Sequence, residues 1–189
     1  MAIQNLKRPI SADDYHRMAE DGLFAEDDRV ELIEGEIVEM SPIKNPHATG
    51  VRRLVALFQQ AVGRRAIVDP QNPVRLGEWS EPEPDVKLLA WRDDFYAAAA
   101  PIAEDVLLLV EVADSSAGYD RRVKAPLYAR HGIREYWILD LPGKVLEVHR
   151  RPGPDGYAEV RRLRRGDSIA PEALPDTVFA VSDLLGLAE

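Results

Sequence analysis

The chain is predicted to form an α/β (α+β) domain, a mixed central sheet flanked by helices with extra antiparallel hairpins. Three observations predict it. Two stretches with helical apolar spacing, 11–22 and 47–62, bracket a short alternating hairpin pattern. The run Val106 to Val112 is apolar on both faces, which suits a central strand covered on both sides. Alternating strand-length runs follow a third helical stretch, so helices and strands share one sheet instead of separating into layers of one kind.

In order, Ser11 to Gly22 reads as a first helix. Ser11 caps it, Asp13 and Asp14 suit its first turn, and Gly22 can end it. RVELIEGEIVEM follows as an antiparallel hairpin with Glu34-Gly35 at the turn. Ser41-Pro42 breaks it, and Asn45-Pro46 is a second turn signal. His47 to Val62 is helical, with Val51, Leu54, Val55, Phe58 and Val62 on one stripe, and Gly63 ends it. Ala66 to Val68 and Pro73 to Leu76 read as two strands joined by a DPQN turn. Val86 to Ala90 is the next strand, with Asp85 at its mouth. Asp93 to Ala100 reads as a short helix ended by Pro101. After Val106 to Val112, a helix is expected from about Tyr119 to His131, kinked by Pro126 or beginning close to Lys124, with Gly132 as its C-terminal cap. Arg134 to Leu141, Lys144 to His149 and Tyr157 to Arg162 are strands separated by Pro-Gly turns. Asp176 to Gly186 holds a short strand and a helix capped by Ser182.

The 189 residues fit a single domain, 1–189, with a core large enough to fold unaided. With no cysteine, disulfides and Cys-ligated metal sites are excluded. The N-terminal stretch has no apolar segment of secretory type, and the longest apolar run, VLLLV, is of strand length, so a cytoplasmic protein with no membrane span is expected. The net charge of −9 argues against nonspecific nucleic-acid binding by the whole surface. Arginine doublets at 52–53, 64–65, 121–122, 150–151, 161–162 and 164–165 leave room for a local basic face, although solvated strand and helix surfaces are the preferred explanation.

The chemistry concentrates between Glu81 and Asp140. Two apolar runs each carry one carboxylate, Asp85 and Glu111, and a carboxylate at the end of a buried strand is costly unless paired or metal-bound. If the strands are neighbours, both could converge on one Mg²⁺ or Mn²⁺ ion, with hard oxygen ligands and open water positions. A lysine beside such an ion neutralises charge on a phosphate, and Lys124 is the first candidate after Glu111. The bland reading makes Asp85 a turn residue after Pro84 and pairs Glu111 with Arg121 or Arg122. His131 then caps a helix, His16 and His149 are exposed, and Tyr136 and Trp137 are core.

The series VELIEGEIVEMSP, His47, PDVKLL, LLLVEVADSS and YDRRVKAPLYARHGIREYWILDL resembles the Uma2 family of bacterial proteins, from about Ser11 to Leu185. That family is similar to a branch of the PD-(D/E)XK nuclease superfamily, so the resemblance implies a restriction-endonuclease-like fold. It also implies residue roles. Asp85 would be the aspartate of the PD motif and Glu111 the acidic residue of the (D/E)XK motif. Both would bind Mg²⁺ or Mn²⁺, with the Val112 carbonyl as a third ligand. Lys124 would be the motif lysine moved onto the following helix, since Ala113 occupies its usual place. Glu34 and His47 are candidates for an upstream catalytic residue.

Two functions compete. The first is a metal-dependent endonuclease acting on nucleic acid, DNA in particular. The second is an inactive binding or regulatory module on the same fold, a homodimer with an apolar face around Tyr136 to Leu139. A small-molecule hydrolase is a third reading, but no nucleotide loop or serine-nucleophile motif supports it.

Overall fold

The structure is a computed structural model and describes residues 8–25 and 27–187; the first seven residues, part of the N-terminal reading above, lie outside them. Helix α1 (Ala12–Glu20) begins where expected, because the Ser11 hydroxyl accepts the Asp14 N–H. Strands β1 (Val30–Ile33) and β2 (Glu36–Glu39) pair antiparallel. Glu34 and Gly35 both have positive φ, as the tight turn of such a hairpin requires. Helix α2 (Asn45–Val62) starts earlier than its sequence reading, since Pro46 sits in its first turn, where its missing N–H costs nothing.

The central sheet uses β3 (Ala66–Pro70), β4 (Val86–Ala90), β5 (Val106–Ala113), β6 (Glu135–Asp140), β7 (Val145–Gly153) and β8 (Gly156–Leu163), in that order. Only β5 and β6 pair parallel; the other neighbours are antiparallel. Strand β5 is covered on both faces. Leu108, Val110 and Val112 meet Val51, Leu54 and Phe58 of α2, while Leu109 and Ala113 face Ala125, Leu127 and Tyr128. Gly50 allows the close approach of α2, since a Cβ there would lie 2.7 Å from Val112 Cγ1.

Between β5 and β6 the chain forms a short helix α3 (Ala117–Tyr119), a π turn over Asp120–Lys124, and α4 (Ala125–Arg130). Pro126 has no N–H to continue the ordinary ladder, and the widened turn accommodates it through a bond from Ala125 N–H to Asp120 O. The helix therefore runs on through the proline. The chain closes with a small ribbon of β9 (Ser168–Ile169) and β10 (Phe179–Ala180), then α5 (Val181–Leu185).

Several expectations are corrected. Pro73 to Leu76 is not a strand. Val74 and Leu76 are buried there, but β3 pairs with β4, leaving one isolated bridge from Arg75 to Ile102. Asp93 to Ala100 is a series of turns, with Phe95 and Tyr96 at positive φ. Ser182 lies inside α5, and Ala180 occupies the cap position. His149 is buried, packed against the Tyr136 and Tyr157 rings. Tyr136 to Leu139 cannot form a dimer face, because β6 is hydrogen-bonded on both sides and these side chains are fully buried. Among the described residues no helix is long and apolar enough to cross a membrane.

Candidate active site

The site forms where β4 begins and β5 ends. Because Val86 pairs with Val110 in an antiparallel ladder, Asp85 and Glu111, one step further out, stand opposite each other on one face. Asp85 N–H lies 3.4 Å from Glu111 Oε2. Asp85 Oδ2 accepts the Val112 N–H at 2.8 Å, and its Oδ1 lies 2.8 Å from His47 Nε2 at the start of α2. Hydrogen bonding to Asp85 raises the His47 pKa, against the opposing effect of burial. Asp85 is thus a fixed, buried carboxylate and not a solvated turn residue.

Asp120, Lys124 and Tyr128 recur every four residues and point their buried side chains at Glu111 from the helix above. Lys124 Nζ lies 3.0 Å from Glu111 Oε1, and Tyr128 OH donates to the same oxygen at 3.0 Å. Burial drives the Glu111 pKa well up; Lys124 opposes the rise, while Asp85, Asp120 and Glu31 add to it. Burial alone would lower the Lys124 pKa, but Glu111, Glu31 and Asp120 overcome it and hold the ammonium charged. The expected pairing of Glu111 with Arg121 or Arg122 does not form. Arg121 instead bonds Glu147 and Asp140.

Glu34 is not brought here. It sits at the exposed hairpin turn and pairs with Arg130 at 2.6 Å. Glu31 takes its place, 2% exposed, with Oε2 3.1 Å from Lys124 Nζ and 3.2 Å from Glu83 N. The signal for Glu31 was the one that marked Glu111, a single carboxylate inside an apolar run (Val30, Leu32, Ile33).

Asp120 accepts a hydrogen bond from Ser116 and is pushed by burial from its ordinary 3.8 to about 6. The folded protein therefore keeps this proton to higher pH than the unfolded chain. The stabilisation is complete below about 3.8 and is lost as pH rises through about 6. Asp120→Asn is expected to flatten that fall, as read from urea unfolding across the window. An unchanged pH slope would rule out this assignment.

These groups line a cleft of about 380 Å³, with Arg29, Lys44 and Tyr119 on its walls. Two buried polar atoms of the wall, His47 Nδ1 and Tyr119 OH, have no hydrogen-bond partner in the protein. Burial, then Glu31, raises the Tyr119 pKa to about 12, so its hydroxyl stays protonated at neutral pH. The Ala113 carbonyl accepts from Leu141 on the β6 side. By strand alternation the Val112 carbonyl points the other way, to the β4 side of β5. Among the described residues no three His, Asp or Glu side chains stand together as a ready-made metal site.

Fold and cleft together define a class, a restriction-endonuclease-like domain with carboxylates and a lysine gathered at the end of its central strands. The chain belongs to the Uma2 family, described as "Putative restriction endonuclease", which matches residues 12–182. A crystal structure described as a "putative nuclease belonging to DUF820 from Anabaena variabilis ATCC 29413" is similar over 94% of this chain and 98% of that one, with a TM-score of 0.75 and 18% identity. At that identity the likeness speaks for the fold. No curated protein matches the chain.

Proposed function

We propose that the chain is a divalent-metal-dependent endonuclease that hydrolyses DNA phosphodiester bonds. The supporting observation is that Asp85, Glu111 and Lys124, from three separate elements, meet in one cleft, with Lys124 Nζ 3.0 Å from Glu111. The donor set fits Mg²⁺ or Mn²⁺. It offers the Asp85 and Glu111 carboxylates and, on the β4 side of β5, the Val112 carbonyl, hard oxygens that leave positions for water. Charge supports the same fit, since four buried carboxylates, Glu31, Asp85, Glu111 and Asp120, line the cleft and Lys124 is the buried lysine among its lining residues. When bound, the ion supplies Lewis acidity and lowers the pKa of its water.

The chain's own residues do the rest. His47 and the Val112 N–H fix Asp85. Glu31 holds Lys124, which carries positive charge to the phosphate as negative charge develops. The test is nicking of supercoiled plasmid with Mg²⁺ or Mn²⁺ by wild type and Asp85→Ala. Metal-dependent nicking that Asp85→Ala loses is expected. Nicking that survives the change would place the chemistry elsewhere.

The second reading, a non-cleaving dimeric binding module, draws on Ala113 in the usual lysine place and on Lys124 clamped between two carboxylates. It expects a folded protein that dimerises through a surface other than β6 and shows no metal-dependent nicking.

A further inference from the structure

The basic residues of this acidic chain are not spread evenly. Residues 144–167 hold seven Lys and Arg against four Asp and Glu, in a chain whose net charge is −9. They fold as the β7–β8 ribbon and the turn after it. Strands β5 and β6 are parallel, and two antiparallel steps make β8 run the same way as β6. The C-terminal end of β8 therefore lies at the same end of the sheet as Glu111 and the cleft.

Side chains connect the two places. Arg121, on the helix that carries Lys124, bonds Glu147 Oε2 at 3.0 Å, and Arg162 of β8 bonds Oε1 of the same carboxylate at 2.9 Å while staying 65% exposed. Next to the cleft wall the Arg122 guanidinium lies over Gly118. Arg122, Arg164 and Arg165 are exposed and form no ion pair among the described residues. At ~4.8 Å per strand step, β8 is roughly 14 Å from β5, about four base-pair steps of ~3.4 Å along the DNA axis.

We infer that Arg122, Arg162, Arg164 and Arg165 form a track for the phosphate backbone of double-stranded DNA, running from the cleft mouth to the end of β8. The inference rests on the nuclease reading and adds to it the surface that holds the flanking duplex. It also accommodates the acidic net charge, because the contact is confined to one end of the sheet. A rigid polyanion with regular charge spacing fits arginines held at one end of a rigid sheet, on the helix over the cleft, on β8 and on the turn after it.

The test compares wild type with the triple variant Arg162→Ala, Arg164→Ala, Arg165→Ala and with a charge control, Arg64→Ala, Arg92→Ala, which lies by the Ala66–Ala90 end of the β3–β4 ladder, away from Asp85. Binding of a short fluorescein-labelled duplex is measured without divalent metal over a range of salt. The triple variant is expected to bind at least about tenfold more weakly, with a salt slope shallower by roughly 2 to 3, as loss of three phosphate contacts requires. The control should bind as wild type does. Equal affinity and slope in the triple variant, or an equal loss in the control, would overturn the track. A wild type that binds no duplex would overturn the track and the nuclease reading together. A wild type that binds and nicks beside an unaffected triple variant would overturn the track alone.

Discussion

Lys124→Met is expected to lower the free energy of unfolding by about 3 to 5 kcal/mol and to abolish metal-dependent nicking. The lysine is 5% exposed and lies between two carboxylates, Glu111 at 3.0 Å and Glu31 at 3.1 Å. Methionine keeps the packing but leaves both acids buried without their cation. The loss therefore measures uncompensated charge and not a cavity. Urea denaturation reads the stability, and plasmid nicking reads the activity. Divalent cation should return more stability to the variant than it adds to wild type, because it would replace the missing positive charge. A variant as stable as wild type would mean that Lys124 does not balance these acids. Undiminished nicking would remove it from the proposed chemistry.

Glu111→Gln is expected to separate the two effects. Burial already disfavours the charged form of Glu111, and Lys124 keeps a partner in Glu31, so the neutral amide should leave stability at neutral pH little changed. The amide is a poorer ligand for a hard cation, and nicking should fall by at least about a hundredfold, the order expected when several kcal/mol of metal-assisted stabilisation is lost. Calorimetric titration with Mn²⁺ should show weaker binding in the folded variant. Wild-type metal affinity in Glu111→Gln would show that this carboxylate is not a ligand. Together the variants divide the site into an element of fold stability, Lys124, and an element of chemistry, Glu111.

Much of the fold was legible because local rules agreed with the tertiary outcome. The Ser11 cap, the Glu34-Gly35 turn, the stripe of α2 and the doubly apolar β5 each follow from spacing and turn chemistry, and all four form where the sequence places them. Asp85 and Glu111 stood out for a related reason, as single charges where burial was expected. The misreadings share a cause as well. Pro73 to Leu76 has strand-like residues and two buried side chains, yet β4 takes the place beside β3. Asn45-Pro46 reads as a turn when taken alone but begins a helix when followed by the stripe of α2.

By itself, the sequence determined most of the segments that become helix or strand and which carboxylates are costly to bury, because periodicity and desolvation act within a few residues. Only the tertiary structure decided which charges meet. The β4–β5 register set Asp85 opposite Glu111, and the turn around Pro126 carried Asp120, Lys124 and Tyr128 over them on one face. The hairpin brought Glu31 to Lys124 and left Glu34 with Arg130, three residues and one turn away. Each choice depends on strand register or helix phase, where a shift of one residue turns a side chain to the opposite face, and that alignment is fixed only when the elements pack together.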